Sequence, residues 1–420
     1  MIGNRKIKAG ALQLVLFVGA LIAVLLFAFI LLTHTHYLFE KKTDLTIALL
    51  QEANRGLELS FDKEMMVGNT LEIPLENDWG IDCTIQKEFW GILELRKVTT
   101  SKGKSKFEKW AWVGKVDAKK PGLYLANHQR PLVLAGEAKI TGKVFLPERG
   151  MRMGNIGGNG YHYDQLIYGE QRHSQKELPR ISDPIKSGIE TWAFLQTRPS
   201  GDKVRLKKGM EIKNGFSTRT KIIEGDVLHF QDETLVGNIV IWANSKIIVE
   251  NTSDLRDVIL IAPKIIIKSG FTGNFQAFAN EQIYLEKECQ LIYPSVLAVK
   301  PRYISNENHH LKPFIELDKS VKFSGIIAYM DDEKMNNYIP HIRIGENTGI
   351  LGEVYSTQNV EHRGQVVGCI TANGFVTHEN GNIYQNHLYD GTIDGTLLPP
   401  EYVGMLYATE KPNGVLKWLY

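Results

Sequence analysis

The chain has 420 residues, 23% of them charged and 43% hydrophobic, enough apolar material for two or three folded domains or one long repetitive one and too much for a disordered polymer. Its formal net charge of +2 excludes a chain-wide polycation that would bind nucleic acid or an acidic polymer by bulk charge. Three cysteines, Cys83, Cys289 and Cys369, lie too far apart for a disulfide framework or a zinc site. They are expected as unpaired, partly buried thiols, with one bridge open to them in an oxidising compartment.

The first predicted element begins at Ala11. Residues 11–32, ALQLVLFVGALIAVLLFAFILL, carry no charge, and Gln13 is their one strongly polar side chain. As a helix they extend about 33 Å at about 1.5 Å per residue, which matches a hydrocarbon core of about 30 Å. A transmembrane helix is therefore expected at residues 11–33, with the lipid bilayer as its partner. The run is longer than the apolar core of a signal peptide. Thr33-His34-Thr35-His36-Tyr37, which follows, has no small-x-small cleavage pattern, so an uncleaved anchor is expected. Arg5, Lys6 and Lys8 precede the span, whereas Lys41 and Lys42 beyond it are offset by Glu40 and Asp44. This bias puts residues 1–10 in the cytoplasm and the rest of the chain across the membrane.

Residues 34–60 should continue the same helix outside the lipid. No proline interrupts them, and Leu45, Leu49, Ala53 and Leu57 recur every four residues, as an amphipathic helix requires. Gly56 and Ser60-Phe61-Asp62 mark its end.

Residues 61–135 read as a small β-rich subdomain. TLEIPL, FWGILELRKV, KWAWVGKV and LYLAN are rich in aromatic and branched residues and are separated by turn signals. The basic stretch Ser101–Lys109, SKGKSKFEK, is expected as a solvated hairpin loop; contact with anionic lipid or nucleic acid is its functional alternative.

Residues 136–400 carry a different text. GEAKITGKVFLP gives two short β steps, each led by glycine. GMRMGNIGGNGYHYD, residues 150–164, has the glycines of a phosphate loop but neither its Lys-Ser/Thr nor a following helix, so a surface turn is expected. Then the chain repeats itself. Ile247, Ile265 and Ile283 recur at a step of 18, as do Val249, Ile267 and Leu285, and Ile241, Ile259 and Ala277. Later the step is 16: Ile344, Val360 and Val376; Ile350 and Val366; Gly352 and Gly368. A fixed period marks stacked repeats, and 16 to 18 residues suit one turn of a β-solenoid rather than a helical hairpin. Residues 292–340 break the pattern, with DDEKMNNY at 331–338 expected as an inserted loop. Residues 401–420 are expected to cap the stack. The fold class is thus mainly β: a β-solenoid (β-helix) ectodomain preceded by one long α-helix that includes a transmembrane span.

Two resemblances follow from these residues. RKIKAG followed by ALQLVLFVGALIAVLLFAF and an amphipathic continuation resembles the anchor of minor pilins and pseudopilins of type IV pilus and type II secretion systems. That resemblance implies processing between Gly10 and Ala11 by a prepilin peptidase. Most family members carry Glu at the fifth mature position, where this chain has Val15. GEVYSTQNVEHRGQVVGCITANGFV resembles glycine-spaced β-helix ectodomains of pilin-like envelope proteins and, more distantly, is similar to bactofilins. It implies a fold and no activity.

Candidate chemistry is sparse. Glu250, Lys268 and Glu286 align as a mixed ladder, which reads as a solvated face rather than the clustered Asp, Lys and Arg of a β-helix carbohydrate enzyme. Glu346, His362 and His378 share the 16-residue step and should meet at one corner; two imidazoles and a carboxylate are ligands for a transition metal. They are the weak metal candidates, followed by His309-His310 and His34/His36. No Ser-His-Asp or Cys-His set is evident, and Cys369 falls in a strand without a local base. No enzyme activity, cofactor or nucleic acid is expected. The expected function is a non-enzymatic, membrane-anchored structural component of a bacterial cell-envelope assembly, pilus-like or secretion-related. Its expected place is the inner membrane, with the C-terminal domain periplasmic or extracellular and other pilin-like subunits as partners. The alternatives are an anchored β-helix that binds or processes carbohydrate, and a self-assembling scaffold.

Overall fold

In the computed structural model, which describes residues 9–117, 120–194, 200–302, 313–333, 338–408 and 410–419, the chain is mainly β with one long N-terminal helix. Helix α1 runs from Ala9 to Ser60, 52 residues, and ends where Gly56 and Ser60 foretold. Residues 10–44 are exposed on every face, and the helix is long and apolar enough to cross a membrane. Beyond Leu45 one stripe turns inward: Ala48, Leu49, Ala53 and Leu57 are buried, the four-residue spacing read from the sequence.

Inter-residue contacts divide the chain into two units. The first joins α1 to residues 70–85 and 98–108. Leu45, Ala48 and Leu49 pack there with Ile81 and Phe107, and Thr100 Oγ1 donates to Leu49 O at 2.9 Å. Gly56 sits against Cys83; a Cβ on it would lie 2.4 Å from the Cys83 sulfur, so only glycine fits. Residues 61–135 are therefore not one subdomain, because residues 61–69, 86–97 and everything from 109 onward form the second unit.

That second unit is dominated by parallel strands, each hydrogen-bonded to neighbours one repeat before and after it. Leu228, Ile247, Ile265, Ile283, Ile315, Ile342, Val360 and Phe375 pair in succession, all buried. A second row runs Ile223, Ile241, Leu260, Ala277, Leu297, Ile327, Val354 and Ile370. No single repeat buries its apolar face alone; stacking supplies both the backbone partners and the core. Three stacked glycines mark one corner. Gly325, Gly352 and Gly368 have φ near +142°, and a Cβ on Gly352 or Gly368 would lie 2.0 or 1.9 Å from the carbonyl oxygen of the glycine beneath. The Gly352–Gly368 step is this corner.

Several expectations need correction. Ile259 does not join Ile241 and Ala277; Leu260 does. Asp257 is an extra residue at φ +60°, a bulge that moves the register by one and turns Ile259 to the outer face opposite Val240. Likewise Ile344 pairs with His362, and Val360 with Ile342 and Phe375 rather than with Ile344 and Val376. The boundary at 136 is also misplaced, because Leu123–Leu125 already belongs to the stack. It pairs with Ile370–Ala372, and Val144–Leu146 and Gln171–His173 follow on it. The segment from 123 to 173 thus extends the far end of the stack, beyond the C-terminal strands, while Asp202–Val204 and Glu211–Asn214 form the other end. Nor do residues 401–420 cap the stack. Gly414–Leu419 and Val403–Gly404 pair antiparallel with the strand Ser105–Val116, which offers them an open edge.

The chain between the two ends carries α2, Asp183–Ala193, opened by Pro184 in its first turn. Its buried residues Ile185, Ile189 and Ala193 lie on one face, and the first two pack on outward-facing Val240, Ile259, Ile261, Phe278 and Val296. The glycines of residues 150–164 form a tight antiparallel turn between Asn155–Ile156 and Asn159–Gly160. His309-His310 and residues 334–337 of the expected inserted loop lie outside the described residues.

Candidate functional site

His362 is where the metal reading meets the structure. It pairs with Ile344 and continues the inward row Phe230, Val249, Ile267, Leu285, Leu317 and Ile344. A histidine thus fills an aliphatic core position, 2% exposed, with its Nε2–H donated to Thr392 O at 2.9 Å. Burial pushes its pKa down to about 4, only partly opposed by that hydrogen bond, so the ring is neutral at pH 7.

His378 faces the other way. Between Ser356 and Asn359 the strand Gly349–His362 carries one residue more than its neighbour Gln365–Glu379, and the 16-residue step becomes 15. A shift of one exchanges inside for outside. His378 then joins an antiparallel pair opposite Ile383, and its ring lies 3.4 Å from Glu361. Glu346 is exposed and bonds Lys319 at 2.8 Å. The structure therefore brings Glu346 and His378 to one charged cleft of about 440 Å³ and leaves His362 inside the core. Among the described residues, no three His, Cys, Asp or Glu side chains are grouped to hold a metal.

The cleft is an ion-pair network. Arg343 lies 3.7 Å from Glu316 and 3.9 Å from Glu361, and Arg363 lies 2.8 Å from Glu379. Burial raises the Glu316 carboxyl, with Arg343 opposing. The ladder of Glu250, Lys268 and Glu286 behaves similarly. Lys268 reaches Glu286 at 2.6 Å, and His229 reaches Glu250 at 2.7 Å. These side chains tie successive repeats together.

A larger groove of about 730 Å³ opens elsewhere on the second unit. Tyr355 and Phe375 line it, together with the amides of Gln358, Asn359, Asn373, Gln385 and Asn386. Asp331, Asp332 and Glu333 stand on one side, and Arg130, Lys176 and Arg180 also line it. His128 bonds Asn373 at 2.8 Å, and Gln358 Nε2 donates to Glu333 O at 2.6 Å. The lining offers hydrogen-bond donors and acceptors, with Tyr355 and Phe375 themselves buried beneath it, a polar surface chemistry suited to a polyhydroxylated ligand.

Sequence reading missed one buried centre. Glu353, in register with Ile326 and Cys369, accepts from Lys120 Nζ at 2.5 Å and from the Met405 N–H at 3.1 Å. Its signal was a lone carboxylate inside an apolar strand; Lys120 carried none. Cys369 lies beside this pair, and burial pushes its thiol up to about 12. Cys83 and Cys289 are also unpaired and buried, their thiols raised to about 11 by the same cause. Gly10 and Ala11 lie in exposed helix, with nothing within 4 Å of a Cβ on Gly10.

Compared with known proteins, the sequence matches no family model and no curated protein.

Proposed function

We propose that this chain is a non-enzymatic, membrane-anchored structural protein whose second unit is a β-solenoid. The carrying observation is α1. Residues 10–44 are exposed on all faces, and 11–33 are uncharged and apolar apart from Gln13 and Thr33; in water such a helix leaves a large hydrocarbon surface unburied. The bilayer is the solvent that suits it, with residues 1–10 on the cytoplasmic side. The solenoid reading rests on the in-register aliphatic rows and the stacked corner glycines. The structural role is supported by charged residues of the second unit that are tied into ladders and a buried pair, Lys268–Glu286, Lys319–Glu346 and Lys120–Glu353. The best-fitting context is a bacterial envelope assembly of pilin-like subunits, with processing between Gly10 and Ala11. N-terminal sequencing of the membrane-fraction protein, with identification of what co-purifies, tests this. A mature chain starting at Ala11 alongside pilin-like subunits supports the reading; a chain starting at Met1 removes the processing, and recovery from the soluble fraction removes the anchor.

The groove at Tyr355 favours a second reading, an anchored glycan-binding protein. Binding of cell-wall or extracellular glycans that is lost in Asn373→Ala and Gln385→Ala, both less buried lining residues, supports it. Absence of binding to every glycan class tried dismisses it.

A further inference from the structure

The first unit holds a cationic hairpin at a defined height on α1. Residue 83 lies against Gly56, and Ile81 packs with Ala48 and Leu49. This strand therefore climbs α1 away from the apolar span as residue numbers rise. The next strand, joined to it by a tight turn, is antiparallel and descends. It passes Leu49 at Thr100, and beyond Thr100 the chain heads toward residue 33 before turning at Gly103–Lys104. Trp79 lies at the same end, 41% exposed, with Lys102 Nζ 5.5 Å from its ring centre.

Lengths fix the height. Leu49 is sixteen residues beyond Thr33, about 24 Å along a helix. The turn is three to four strand residues past Thr100, about 12 Å nearer the span. The remaining gap of about 12 Å equals an extended lysine plus a headgroup layer of about 5–7 Å. Lys102, Lys104 and Lys106 are all exposed there. Lys106 pairs with Glu108 at 2.6 Å; among the described residues Lys102 and Lys104 make no ion pair. In sequence, Glu40 and Asp44 flank Lys41 and Lys42 on α1, and Asp78 and Asp82 flank the stretch from Trp79 to Ile81.

The geometry points to a membrane-surface contact: the hairpin lysines, with Trp79 beside them, bind the anionic phospholipid headgroups of the leaflet from which α1 emerges. This rests on α1 spanning the bilayer. Trp at the headgroup level and lysines within a Debye length of anionic lipid are both favourable there. The contact would hold the first unit against the membrane surface at a second point besides the helix.

The test uses the full chain in nanodiscs of phosphatidylcholine alone or mixed with phosphatidylglycerol, read by hydrogen exchange of residues 101–106. Exchange in this stretch should slow several-fold in the phosphatidylglycerol discs. The slowing should vanish at high salt and in the Lys102→Gln/Lys104→Gln/Lys106→Gln variant, while exchange at Ile247–Val249 stays unchanged as a check on folding. A chain that enters the discs but exchanges alike in both lipids and in the variant overturns the contact and leaves the anchor standing. A chain that does not enter the discs overturns the anchor, and the contact with it.

Discussion

Lys120 Nζ lies 2.5 Å from Glu353 Oε1, with the two side chains 7% and 2% exposed. Burial by itself would lower the Lys120 pKa; the charge and hydrogen bond of Glu353 outweigh it and hold the ammonium above its usual range. Among the described residues Glu353 Oε2 has no hydrogen-bond partner, so the carboxylate depends heavily on this one cation.

Removing one partner should therefore cost more than removing both. Lys120→Met alone should lower unfolding free energy by about 3–5 kcal/mol, and Lys120→Met/Glu353→Leu should recover most of it. Guanidinium unfolding of the detergent-solubilised chain measures both. The sign in pH follows from the raised value: the stabilisation is complete below the unfolded lysine pKa and fades as pH climbs through the folded one. Equal losses in the single and double variants would show that the pair matters only through packing.

His362 should make the protein acid-sensitive. Its folded pKa, about 4, lies below the unfolded value near 6.5, so its neutral form is at no disadvantage above pH 6.5. Between pH 6.5 and 4 the unfolded chain takes up a proton that the folded chain refuses, at about 1.4 kcal/mol per pH unit, or about 3 kcal/mol in all. His362→Leu, which suits its aliphatic row, should flatten the melting temperature across that interval. An unchanged slope would assign the acid lability to other groups.

Gly368→Ala should unfold a large part of the stack. The new Cβ would meet Gly352 O at 1.9 Å, at a φ of 142°. Strain and backbone displacement together should exceed about 3 kcal/mol. Gly349→Ala, where nothing lies within 4 Å, is the matched control and should change stability by less than about 1 kcal/mol. Circular dichroism melts of the two variants separate corner strain from a general intolerance of alanine.

The three thiols should resist modification. Cys83, Cys289 and Cys369 are buried and held protonated by burial, so maleimide should label none of them in the native protein and all three after denaturation. Fast native labelling at Cys289 would mean that the turn before Gln290–Val299 opens locally.

Periodic features were legible because they recur with one spacing. The stripe from Leu45 to Leu57 and the row Ile247, Ile265, Ile283 each repeat a rule that side-chain geometry enforces. Single-residue departures were not. Asp257, and the extra residue between Ser356 and Asn359, look like ordinary strand residues, yet each exchanges inside for outside downstream. That is why Ile259, Val376 and His378 were misaligned; Glu346 parted from His362 for a different reason, because Ile344 pairs with His362 at a step of 18 rather than 16. The position of Leu123–Leu125 was illegible for another reason. A three-residue strand has almost no periodicity to read, and its partner Ile370 lies far along the chain.

That last pairing constrains how the molecule is made. The residues that complete one end of the stack leave the ribosome early, but the surface they must dock on is finished only when residues near 370 and 393 have been laid down. Until then Leu123, Leu125, Ile140 and Val144 stay greasy and unshielded through most of the chain's synthesis. Closing so wide a loop is entropically slow. Any truncation upstream of Ile370 should therefore leave that early stretch without its docking surface and prone to aggregate.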